Sequence, residues 1–115
     1  MKSDSDTLSM AQRHGKDTKP PLSFVLLSKE VAEGEARVWQ MGAKKYARGQ
    51  WLKGMYWTTA ADSLTRHLVA FLNGEDLDPE SGLPHVDHIV TSAKILAHSV
   101  HTRKDLDDRN GRNEK

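Results

Sequence analysis

The chain contains no cysteine, which excludes disulfides, thiolate zinc sites and cysteine nucleophiles; any metal would be held by oxygen or imidazole. Long apolar runs are missing too. The stretch Phe24-Val25-Leu26-Leu27 is far shorter than the roughly 18 residues that cross a bilayer, and the opening residues 1–6 lack an apolar signal core, so a cytoplasmic chain without membrane contact is expected. Excess charge of one sign is absent: 17 basic against 16 acidic residues give +1, no footprint for a polymeric nucleic acid. At 115 residues, 37% of them hydrophobic, the chain is sized for one small domain.

What is present reads as all-α, a small bundle of three to four helices with an acidic turn between the last two main ones. Residues 1–19 read as a disordered polar leader, residues 20–101 as a single helical domain, and residues 102–115 as a mixed-charge tail expected to fray. Residues 22–27 are expected to be an apolar anchor against the helices. Ser28 is the expected N-cap of a first helix of about 19 residues, whose inward stripe of Val31, Val38 and Gly42 also carries Glu35 and Lys45. A buried carboxylate and ammonium must pair, bind something or sit at a wet edge; the alternative is an inward face rotated by about 40°, with both groups reaching solvent.

The loop at residues 47–54 mixes glycines and basic residues between aromatics, Trp51, Tyr56 and Trp57. Such a loop can stack a base and hold phosphates, although aromatics there more often anchor a core. Residues 58–73 predict a second helix with the stripe Ala60, Ala61, Leu64, Leu68 and Phe71. His67 lies at its edge, Arg66 points elsewhere, and Gly74 ends the helix. Residues 84–101 predict a third, with Val86, Ile89, Ala93, Leu96 and Val100 toward the core, His85 and Ser92 at the stripe's edge, and Asp87 outward. A core this small makes self-association, as a homodimer, an expectation.

The turn between these two helices holds the densest chemistry. Gly74, Pro79, Gly82 and Pro84 interrupt regular structure, and the connection is short enough to gather Glu75, Asp78, Glu80 and His85. Asp76, Asp78 and Glu80 alternate as in a calcium loop, but the glycine is misplaced, Pro79 interrupts and no glutamate follows at the twelfth position. An HNH nuclease needs a downstream asparagine that is missing before Asn110, and the His-Asp dipeptide of HD phosphohydrolases does not occur. Hard carboxylate oxygens suit Mg²⁺ or Mn²⁺, which neutralise triphosphate charge and activate water, while Lys and Arg hold phosphates. That is the chemistry of a nucleotide pyrophosphohydrolase.

Three stretches, Gly42-Ala43-Lys44-Lys45-Tyr46 with Trp51, then Arg66-His67-Leu68, then residues 74–88, resemble the phage dATP/dGTP diphosphohydrolase family, related in activity to the MazG-like enzymes. The likeness covers about residues 20–100. It departs at Gln50, where an asparagine is usual, and at Ser92, where another is expected. The resemblance implies cleavage of a purine deoxynucleoside triphosphate between its α and β phosphates, with a divalent metal, in host-cell cytoplasm if the chain is phage-encoded. On the matching positions it implies Glu35, Glu75, Asp78 and Glu80 as metal or water-activating carboxylates, and Lys45, Arg66 and His67 as phosphate contacts. His85 and His88 would support the site or move protons, with Tyr46 and Trp51 at the base. The alternative is a catalytically inactive helical module that binds a nucleotide or a protein partner.

Overall fold

The structure, a computed structural model, describes residues 19–43 and 50–112, with the backbone alone for Gln50 and Trp51. Among these residues it is all-α: α1 (Lys29–Gly42), α2 (Trp57–Leu72) and α3 (His85–Thr102), with short 3-10 turns between and after them. No helix among the described residues is long and apolar enough to cross a membrane.

Helix α1 starts as its sequence predicts. The Ser28 hydroxyl accepts the Val31 N–H at 3.2 Å, satisfying one of the free donors of the first turn. Its buried residues are Gly34 and Val38, four apart, while Val31 is exposed, so the inward face is rotated from the expected stripe toward Gly34. The glycine permits this contact: a Cβ there would lie 2.3 Å from the Asp87 carboxylate of α3. Asp87, expected on the surface, is thus pressed against α1. The segment Leu22–Leu26 is a 3-10 turn beside α1 whose Leu22, Phe24, Val25 and Leu26 stay exposed; the expected anchor does not form, because one short helix offers no apolar groove.

Helices α2 and α3 form the antiparallel hairpin on which the rest depends. Along their seam the His67 and His88 rings stack at 4.3 Å, Ser63 Oγ and Ser92 Oγ share a hydrogen bond of 3.2 Å, and Met55 N–H donates to Ser99 Oγ at 3.3 Å. The buried positions of α3 are His85, His88, Thr91, Ser92 and Ser99, and Val86 and Ala93 of the expected stripe are exposed. The seam therefore runs one position off the apolar stripe. Small hydroxyls let two backbones approach closely, and each finds a partner: among the described residues no buried side-chain polar atom lacks a hydrogen bond. On α2 only Trp57 and Ala60 are buried, and Leu68 and Phe71 remain about 40% exposed.

Past α3 the described part of the tail, residues 103–112, is ordered where fraying was expected. Residues 103–112 fold back over the start of α2 through two 3-10 turns, Lys104–Leu106 and Arg109–Gly111. Tyr56, the N-cap of α2, supplies no side-chain cap; Asp108 does so from fifty residues away, accepting Thr58 N–H at 3.0 Å and Thr58 Oγ–H at 2.6 Å. Asp107 is gripped by Arg109 and Arg112, and the Arg109 hydrogen bonds hold its carboxyl well below the ordinary range. Asp108→Ala is expected to destabilise the domain by about 1 kcal/mol, the usual worth of a lost cap, read as a lower midpoint in urea; an unchanged midpoint would make the cap irrelevant to stability.

Candidate active site

The cluster is built where the hairpin turns. Helix α2 closes on Gly74 at φ +96, with Gly74 N–H bonded to Phe71 O and Glu75 N–H to Ala70 O, the two-bond glycine ending that reverses the chain and projects Glu75 beside the next helix. The turn then folds on itself: Asp78 N–H donates to Leu83 O at 2.8 Å, Gly82 N–H to Asp78 O at 2.7 Å with φ +76, and His85 N–H to Asp76 O at 2.9 Å. Asp78 Oδ2 also accepts the Ser81 N–H at 3.1 Å, which fixes its carboxylate over the first turn of α3. His85 and His88, three residues apart, face back toward it from one side of α3.

His67 of α2 completes the group. Its Nδ1 lies 2.9 Å from Nδ1 of His85, whose Nε2 lies 2.7 Å from Glu75 Oε1. An ionised carboxylate only accepts, so in the His85–Glu75 contact the proton sits on His85 Nε2. His88 Nε2 is 2.7 Å from Ser81 Oγ and 3.6 Å from Asp78 Oδ2; Ser81 Oγ in turn accepts the Leu83 N–H at 3.1 Å. One ligand atom each from His67, Asp78 and His85 lie within 4.8 Å of one another.

Electrostatics set the protonation states. Burial, followed by the neighbouring His88 charge, lowers the pKa of His67; burial also lowers that of His88, against the opposing pull of Asp78. For Asp78 burial works against ionisation, but the Ser81 hydrogen bonds and His88 outweigh it and the pKa falls. At neutral pH the site holds an ionised carboxylate beside neutral imidazoles at His67 and His88. Both histidines bind protons less readily folded than unfolded, so their contribution to stability is present above the ordinary 6.5 and is lost as pH falls through their lowered values. The melting temperature of the metal-free chain is expected to drop between about pH 7 and about pH 5; a flat profile would contradict that assignment.

Of the sequence-predicted site residues, Glu75, His85, His88, His67 and Asp78 come together. Glu80 is exposed on the turn, close enough for its charge to act on His88. Arg66 is exposed and lines a cleft of about 190 Å³ with Met55, Thr59, Ser63, Ser92 and Ile95, about one turn along the seam from the histidines. Glu35 lies elsewhere: it pairs with Lys94 of α3 at 2.8 Å and accepts Trp39 Nε1–H at 2.9 Å. Burial disfavours its charge, but Lys94 and Trp39 prevail and its pKa is lowered. The expected pairing of that inward carboxylate is thus met by Lys94; Lys45, Tyr46 and the Trp51 side chain lie outside the described residues. Ser81 was missed, although an Asp three residues before it is placed to accept its backbone N–H, as a capping side chain does.

Fold and site together define a small all-α domain with an imidazole–carboxylate centre at the turn of a helical hairpin. Residues 9–109 match the family described as dATP/dGTP diphosphohydrolase, N-terminal, and the chain belongs to that family. It is 32% identical over 91 residues to a dATP/dGTP diphosphohydrolase of Salmonella phage PMBT28, an alignment covering 79% of this chain and 30% of that protein. The chain thus spans under a third of that relative's length. No solved structure matches it.

Proposed function

We propose that the chain hydrolyses purine deoxynucleoside triphosphates, dATP or dGTP, to the monophosphate and pyrophosphate in a reaction that needs Mg²⁺ or Mn²⁺. The observation that carries this reading is the convergence of His67, Asp78 and His85 beside the cleft that Arg66 lines. Family membership and the printed name of the phage relative support it.

The donor set fits a divalent cation: an ionised carboxylate and imidazole nitrogens, with no lysine or arginine bonded to them among the described residues. Such an ion supplies neutralisation of triphosphate charge and a lowered pKa for the attacking water. The chain's own groups do the rest. Asp78 holds negative charge at the centre, with Glu75 and Glu80 on the rim. Arg66 neutralises phosphate oxygens at the cleft, and the family resemblance implies Lys45 as a further phosphate contact. A neutral His88 takes the proton that water releases as it attacks the α-phosphorus, while the bond to the β-phosphate oxygen breaks. The cleft is sized for a fragment such as a base or one phosphate group rather than a whole nucleotide; the base contact at Tyr46 and Trp51 is what the family resemblance implies.

A homodimer belongs to the same reading, supported by how little apolar side chain is buried among the described residues: Val38, Trp57 and Ala60, against exposed Leu68, Val69, Leu72, Leu77 and Val86. The test is incubation of the purified chain with each of the four deoxynucleoside triphosphates, with added metal and with EDTA. Metal-dependent loss of a purine substrate is the expected result; tight nucleotide binding without turnover would favour an inactive binding module.

A further inference from the structure

We propose that His67, His85 and Asp78 bind a first-row divalent cation of the Mn²⁺, Co²⁺ or Zn²⁺ kind, and that Glu75 is the positioning residue that turns His85 toward it. This rests on the metal-dependent reading above and goes beyond it in making imidazole the principal donor, where the resemblance implies carboxylates.

The two Nδ1 atoms are 2.9 Å apart. Nitrogens sharing one cation at bonds of about 2.1 Å and roughly a right angle are separated by about 3 Å, so this pair already has the separation of two ligands of one ion, which they reach by turning both lone pairs off the line between them. Asp78 Oδ lies within the same 4.8 Å group and brings the only formal charge of the three. Glu75 accepts the His85 Nε2 proton, as carboxylates commonly do behind a metal-bound histidine, and this leaves the Nδ1 lone pair free. A neutral His67 that carries its proton on Nε2 presents a second Nδ1 lone pair without changing its charge. The remaining acids do not complete an all-oxygen cage: Glu35 is bound to Lys94, and Glu80 is exposed. Mg²⁺ demands oxygen donors in near-ideal octahedral array, whereas nitrogen-containing sets favour the later ions.

The test uses the full chain without nucleotide: Mn²⁺ binding followed by electron paramagnetic resonance for ¹⁴N couplings, and Co²⁺ titration followed by visible absorption. Expected are one cation per chain, nitrogen coupling to Mn²⁺, and displacement by Zn²⁺ but not by an equal concentration of Mg²⁺. Glu75→Gln should weaken Co²⁺ binding by about 10–100-fold with an unchanged helical spectrum. The nitrogen coupling is read on the unaltered chain, so a variant that fails to fold does not blunt the test. Absent binding, Mn²⁺ without nitrogen coupling, equal competition by Mg²⁺, or Glu75→Gln matching the parent would each overturn the proposal. Turnover supported by Mg²⁺ with no nitrogen-bound Mn²⁺ would sink this assignment and leave the hydrolase reading standing; nitrogen-bound Mn²⁺ with no turnover would do the reverse.

Discussion

Asp78→Asn is expected to reduce turnover of a purine deoxynucleoside triphosphate by more than the ~10–100-fold that outer residues of metal sites typically cost, with little loss of stability. The reason lies in the division of labour at this side chain. Its Oδ2 accepts the Ser81 N–H that holds the turn, and an asparagine carbonyl oxygen can accept the same bond. What the amide cannot supply is negative charge, and Asp78 is the carboxylate grouped directly with His67 and His85. Steady-state rates at saturating metal, alongside circular dichroism and a urea midpoint, separate the two roles. Full activity in a folded variant would remove the turn from the chemistry.

The second large effect is on stability alone. Trp57→Ala is expected to cost about 3–5 kcal/mol, a large share of the ~5–15 kcal/mol that holds a small domain together. Trp57 is 5% exposed, donates its Nε1–H to Arg103 O at 3.2 Å, and has the Arg109 guanidinium 4.8 Å and the Lys104 ammonium 5.8 Å from its ring. It thus fastens the returning segment 103–112 onto α2. Trp57→Phe keeps most of the packing and loses the N–H, leaving the Arg103 carbonyl with the Leu106 N–H as its partner, at a smaller cost of about 1 kcal/mol. Urea unfolding orders the three proteins. Ten residues of helix, about 15 Å, separate Trp57 from His67, so the folded Phe variant should keep its turnover.

These two residues differ in how legible they were. Asp78 stands in a turn whose Gly74, Pro79 and Gly82 mark a chain reversal and whose acids and histidines crowd a short connection, so local spacing sufficed to find most of the site. The helices were readable for the same reason: Ser28 caps, Gly74 closes, and α2 and α3 keep their expected boundaries to within a residue or two, whereas α1 ends at Gly42, short of the 19 or so residues expected. The errors arose where the partner is distant in sequence. The cap of α2 is Asp108, whose role no local pattern announces. Glu35 could be recognised as a carboxylate in need of a partner, but not that Lys94 would provide it. On α3 the apolar period led one position astray, because the buried face carries histidine and serine that are satisfied by groups of the turn and across the seam. Hydrophobic periodicity finds faces that bury carbon; it is blind to a face that buries hydrogen-bonded polar groups. Ser92, which departs from the asparagine of the resemblance, sits on that face against Ser63 and lines the cleft, so the departure falls at the candidate substrate site.

The most direct measurement is the identity of the products when the chain acts on dGTP or dATP with Mn²⁺ in ¹⁸O-labelled water, separated by ion exchange and weighed by mass spectrometry. The account predicts monophosphate and pyrophosphate in equal amounts, a single ¹⁸O carried by the monophosphate as attack at the α-phosphorus requires, and loss of both products with EDTA. Orthophosphate with a nucleoside diphosphate, or no product with any metal from a folded chain, would contradict it.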